Sequence, residues 1–136
     1  MVGLKRFAGG LAAAALFVAP VSAFAQSKGD AAAGEKLYVE CEGCHELKEN
    51  KIGPRHCGVI GRKAGSLADY PSYSPAMKDS GLTWDVKTLS EFLAEPFSYV
   101  SGTAMGFIGI SDEKARLDLI AYLEKQGKDP SVCPQG

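Results

Sequence analysis

The residues best equipped for chemistry stand together, in Cys41-Glu42-Gly43-Cys44-His45. A C-x-x-C-H sequence is the attachment site of a c-type haem. Each thiol can add across one vinyl group of the porphyrin. His45, the next residue, is then close enough to ligate the iron from one face. One axial position remains. A strong second ligand there means electron transfer, and an open position means ligand binding or catalysis.

Few residues can fill that position. The histidines are His45 and His56, and the methionines are Met1, Met77 and Met105. Met1 lies in the leader described below. Met105 lies in Gly102-Thr103-Ala104-Met105-Gly106, a flexible segment from which a thioether can be presented end-on. Met77 falls in a predicted short helix, where methionine ordinarily fills core. His56 follows His45 by 11 residues, so the chain would have to wrap a planar haem to reach its far face. Met105 is therefore the expected ligand. His–Met iron can stay six-coordinate in both oxidation states, which suits one-electron transfer.

Residues 1–25 read as a secretory leader. Lys5 and Arg6 precede an Ala- and Leu-rich apolar run from Phe7 to Ala19, and Ala23-Phe24-Ala25 forms a small-x-small cleavage site. The run is short for a membrane span, and Gly9, Gly10 and Pro20 interrupt it. Cleavage after Ala25 leaves 26–136 as one small domain, exported and not embedded in a membrane. The chain has 15 Lys and Arg against 16 Asp and Glu, and Lys5 and Arg6 leave with the leader, so the mature net charge is −3. That balance argues against a nucleic-acid partner, which wants a basic surface. A domain this small buries little core by itself. A covalently held haem would supply an apolar body around which short helices pack.

Thioether formation uses Cys41 and Cys44. Cys57 and Cys133 remain, an even pair in an oxidising compartment, and are expected to form a disulfide. It would pin the C-terminal tail to the loop after the haem motif, contributing at most about 4 kcal/mol through loop entropy.

The elements that must hold these groups are helical. Asp30 is an N-cap before Ala31-Ala32-Ala33, and its helix should run into the haem motif with Leu37 and Tyr38 facing inward. Residues 48–65 read as loop, being rich in Gly and basic residues around Pro54. A short helix is expected over 75–79, with Pro75 in its first turn and Gly81 after its end. Residues 82–85 should open the next helix, whose buried face is Leu89, Phe92 and Leu93, and Pro96 should stop it. Residues 97–110 read as extended loop. Ser111 should cap a last helix over 112–126, with Ala115, Leu119, Tyr122 and Leu123 as its apolar stripe and Gly127 as its terminator. Strand signals are weak, so the class is all-α.

Taken in order, many segments resemble the class I cytochrome c family of mitochondria and the alphaproteobacterial periplasm. They include Gly34-Glu35-Lys36-Leu37-Tyr38, the haem motif, Gly53-Pro54 and Gly61-Arg62-Lys63-Ala64-Gly65-Ser66. Tyr73-Ser74, Ala76-Met77-Lys78, Gly81-Leu82-Thr83-Trp84 and Tyr99 follow. Gly102-Thr103-Ala104-Met105, Phe107 and residues 116–123 complete the set. The resemblance implies one domain of three main helices plus short ones wrapped around one haem c, held through Cys41 and Cys44. It implies His45 and Met105 as axial ligands, with the Pro54 carbonyl accepting from the His45 ring. Arg62, Tyr73 and Trp84 would pair the buried propionates, Phe107 would line the haem, and Gly34 would let the first and last helices cross closely. The implied function is a monomeric periplasmic electron carrier, not an enzyme. It would shuttle electrons between redox partner proteins of a respiratory or photosynthetic chain.

The departures from the family are specific. Phe92 stands where a Tyr often hydrogen-bonds the Met sulfur. Ser101 replaces a Pro. Phe97, Ala104 and Ser111 stand where Lys is common, so the basic docking face is largely missing, and docking through apolar residues such as Phe97 and Phe107 is expected. Two other haem functions compete: a dedicated subunit of a periplasmic dehydrogenase, and a five-coordinate sensor or peroxidase should Met105 not ligate. Thiol-disulfide chemistry at the C-x-x-C pair would call for a βαβ pattern, which is absent, and zinc would need further Cys or His at suitable spacing.

Overall fold

The computed structural model describes residues 29–134; the leader and cleavage site expected over residues 1–25 lie outside them. Among the described residues five helices run in the order α1 (Ala31–Tyr38), α2 (Pro75–Asp79), α3 (Val86–Ala94), α4 (Pro96–Tyr99) and α5 (Glu113–Lys128). Among the described residues the only β pairing is an isolated bridge between Lys63 and Thr83. The fold is all-α.

Each main helix starts where a side chain meets its orphan N–H groups. The Asp30 carboxylate accepts from Ala32 N–H, the Ser74 side chain from Met77 N–H, and Asp85 and Thr88 form a reciprocal capping box. α1 and α5 cross at Gly34, where an added Cβ would lie 2.0 Å from the Asp118 carbonyl oxygen. The crossing is tied by the Asp30 N–H donating to Asp118 Oδ1 at 2.7 Å, and Lys114, one turn earlier on α5, holds the same carboxylate with Nζ 2.7 Å from Oδ2. The core lies between α3 and α5, where Leu89, Phe92, Leu93, Leu119, Ile120 and Leu123 are buried. Ile120 is wholly buried, although it falls outside the predicted stripe.

The structure corrects four boundaries. Residues 82–84 are extended and Asp85 is the cap, so α3 begins later than expected. Pro96 ends one helix and begins another: lacking an N–H, it suits the first turn of α4, which occupies the start of the predicted loop. Asp112, not Ser111, caps α5. α5 also runs through Gly127 to Lys128, because that glycine sits within the helix rather than in a left-handed cap.

Candidate haem site

After α1 the chain makes one more helical turn. Cys44 N–H and His45 N–H both donate to the Cys41 carbonyl, at 3.1 and 2.9 Å. Helical spacing puts Cys41, Cys44 and His45 on one side of that turn. Cys41 is half-buried, Cys44 is exposed, and both thiols are free. Burial, reinforced by Glu40 and Glu42, pushes the Cys41 thiol up to about 11, so it stays protonated at neutral pH.

The His45 ring is positioned by its neighbours. Nδ1 lies 2.7 Å from the Pro54 carbonyl. A carbonyl only accepts, so Nδ1 carries the proton and Nε2 the lone pair, which is the tautomer that binds a metal. Burial lowers the His45 pKa, partly opposed by the Pro54 bond, and so favours the neutral, ligating form. Gly53 lies against one face, where a Cβ would come within 2.2 Å of Cε1. His56 stacks on the ring at a centroid distance of 4.3 Å and an interplanar angle of 19°. Its Nδ1 is 3.1 Å from the Tyr38 hydroxyl. Burial, with His45 and Arg62 beside it, holds His56 well below the usual imidazole range.

Arg62 and Trp84 come together through backbone pairing. Gly61 N–H donates to the Trp84 carbonyl at 2.7 Å, and Trp84 N–H to the Arg62 carbonyl at 2.9 Å. Trp84 is buried against Phe92, with ring centroids 5.0 Å apart. The half-buried Arg62 guanidinium donates to the carbonyls of Cys57 and Arg55, at 3.1 and 2.9 Å. A guanidinium carries further N–H groups suited to a carboxylate. Tyr73 packs edge-on against Tyr70; burial raises the pKa of its hydroxyl, and the charge of Arg62 partly opposes that rise.

Met105 is half-buried against the core, in the loop between α4 and α5. The loop is anchored by Thr103 N–H to the Val100 carbonyl and Ile110 N–H to the Leu93 carbonyl, at 2.9 and 2.8 Å. Gly109, at φ 109°, passes so close to the Ala94 carbonyl that a Cβ would lie 2.2 Å from its oxygen. Met77 is buried in the core. Phe107 is half-buried, whereas Phe97 is 54% exposed and Ile108 90% exposed. Ile108 escaped the sequence reading, because a short apolar stretch broken by glycines has no periodicity. The sulfurs of Cys57 and Cys133 are bonded, joining residues 76 apart in sequence.

These groups fit a covalently bound haem. Two free thiols and a correctly protonated imidazole share one turn, a thioether lies in an anchored loop, and the half-buried Arg62 is paired through its backbone to Trp84. Among the described residues no three His, Cys, Asp or Glu side chains gather as a metal cluster of another kind would need.

No family-level sequence profile matches the chain. Individual relatives do. Cytochrome c of Cochliobolus lunatus is 46% identical over 105 residues, covering 74% of this chain and 96% of the relative. Cytochrome c2 of Rhodomicrobium vannielii is 42% identical over 108 residues, covering 77% and 86%. Among solved structures, cytochrome cH from Methylobacterium extorquens superposes with a TM-score of 0.69 at 52% identity, covering 71% of this chain and 99% of that one. Fold, site and near full-length likeness to these proteins agree: the chain belongs to the class I cytochrome c family, electron-transfer proteins built around covalently held haem c.

Proposed function

We propose that the protein is an exported one-electron carrier of the periplasm. Its single haem c is attached through Cys41 and Cys44 and ligated by His45 and Met105. The observation that carries this reading is the Cys41-to-His45 turn with the His45 ring held by the Pro54 carbonyl at 2.7 Å. When bound, the haem supplies an iron that takes up and gives back one electron. The protein residues fix the surroundings of that iron. Pro54 holds the tautomer of His45 and raises its basicity as a ligand. Met105 would supply the iron's other ligand from the protein, which would keep small ligands off and suit one-electron transfer. Arg62, Tyr73 and Trp84 would pair the propionates, since a buried carboxylate without partners is costly. Phe107 would line the haem. The Cys57–Cys133 disulfide ties the loop after the haem motif to the tail.

The partners are redox proteins, a donor and an acceptor, and the carrier acts as a monomer. Among the described residues no helix is long and apolar enough to cross a membrane, in keeping with a diffusing carrier once residues 1–25 are removed. With Phe97 and Ile108 exposed and Lys absent at 97, 104 and 111, docking is apolar and depends weakly on salt. A partner association that falls steeply with salt would overturn that docking mode.

The first test is the visible spectrum of the purified ferric and dithionite-reduced protein. Sharp reduced bands, a weak far-red ferric band from the thioether, and indifference to CO are the expected result. A missing far-red band with immediate CO binding would replace the carrier by a sensor or peroxidase.

A further inference from the structure

We propose that His56 is a positioning residue for His45, its ring acting as a flat wall that sets the plane in which the His45 imidazole faces the iron. This rests on the haem-carrier reading above. The Pro54 bond alone leaves the His45 ring a soft torsion, because rotation about an sp³–sp² bond has broad wells. Two further contacts remove that freedom. Gly53 presses on one face, where even a methyl group would collide. The His56 ring lies on His45 at 4.3 Å and 19° from parallel, and a near-parallel stack resists turning as a branched aliphatic side chain would not.

His56 is itself held from several sides. The Tyr38 hydroxyl bonds its Nδ1 at 3.1 Å, and Tyr38 is buried against Tyr122 of α5, with centroids 5.2 Å apart. His56 N–H and Cys57 N–H donate to the carbonyls of Glu46 and Leu47, at 2.9 and 2.7 Å. Cys57 is also bonded to Cys133. The α1–α5 crossing and the tail thus reach the proximal ligand through two aromatic side chains.

Paramagnetic proton NMR of the ferric holoprotein tests the proposal, since the order and spread of the haem ring-methyl shifts report the orientation of the axial imidazole plane. His56→Phe keeps a flat face and is expected to preserve the wild-type order and spread. His56→Leu removes that face and is expected to shift the methyl resonances and change their order. Unchanged shifts in His56→Leu would overturn the proposal, as would a His56→Phe displaced as far as His56→Leu. Where His56→Leu does not fold, Tyr38→Phe frees the ring from its clasp and carries the same test: displaced shifts support the wall, unchanged shifts overturn it. Wild-type haem that acidified organic solvent extracts would instead overturn the carrier reading itself. Covalently held haem indifferent to position 56 overturns only the stack.

Discussion

Gly34 of α1 and Asp118 of α5 meet at backbone contact: a Cβ at position 34 would stand 2.0 Å from the Asp118 carbonyl oxygen and 2.5 Å from its carbon. An exposed Gly→Ala change in a helix normally gains about 1 kcal/mol in propensity. Here the obstacle is backbone, which cannot turn aside as a side chain would. The two helices would have to separate and give up part of the packing of Tyr38 on Tyr122. Gly34→Ala is expected to destabilise by about 2–3 kcal/mol, in the range of core overpacking, read as a lower denaturation midpoint with unchanged slope. An unchanged or higher midpoint would mean that the crossing is loose.

Asp118 links this crossing to pH. Lys114 and the Asp30 N–H hold its carboxyl below the ordinary aspartate range. A carboxylate depressed in the folded state stabilises that state above its unfolded pKa of about 3.9. The contribution is lost as pH falls from there through the lower folded value. Asp118→Asn should therefore be less stable than the wild type at neutral pH, and the gap should close across that acid window. Denaturation midpoints of the two proteins along an acid series check this. A gap that stays constant would assign the cost to packing rather than to charge.

The parts of this molecule that were legible in the sequence are local. The Cys41–His45 turn, the Asp30 cap and the Leu89, Phe92 and Leu93 face each follow from residues within a turn or two of one another. α4 was missed because Pro96 reads equally as a stop and as a first helical residue, and tertiary packing decided for both. The stacking of His56 on His45, and its clasp by Tyr38, were not legible. Tyr38 and His56 are 18 residues apart, and nothing local marks the loop between them as folding back. Arg62 and Trp84 were named from family likeness alone. Their juxtaposition depends on backbone pairing across residues that read as loop and helix start.

The Cys57–Cys133 bond closes a long loop, with 76 residues separating its ends. Such a link mainly restricts the unfolded chain, by about 4 kcal/mol in the entropy model. The double variant Cys57→Ser with Cys133→Ser is expected to lose up to that amount while keeping its haem spectrum, because neither cysteine belongs to the attachment turn. Denaturation of the oxidised wild type, the wild type in reductant and the double variant gives the comparison. Equal midpoints for all three would show that the loop is already held without the bond.

Met77 and Met105 separate stability from ligation. Met77 is buried beneath α2 among core side chains, and its truncation leaves a cavity. Met77→Ala is expected to cost about 2–5 kcal/mol with the far-red ferric band intact. Met105 is half-buried on a loop whose anchors are backbone bonds of Thr103 and Ile110, so its removal disturbs packing less. Met105→Ala is expected to cost less stability than Met77→Ala, yet to abolish the far-red band and admit CO to the reduced protein at neutral pH. Phe92 sharpens the contrast. It packs at 5.0 Å from Trp84 and, lacking a hydroxyl, cannot donate to the Met105 sulfur. Phe92→Tyr should then leave both methionine roles in place while shifting the reduction potential through a new hydrogen bond. If Met77→Ala rather than Met105→Ala removes the band, the ligand comes from α2, and the loop between α4 and α5 is only a cover.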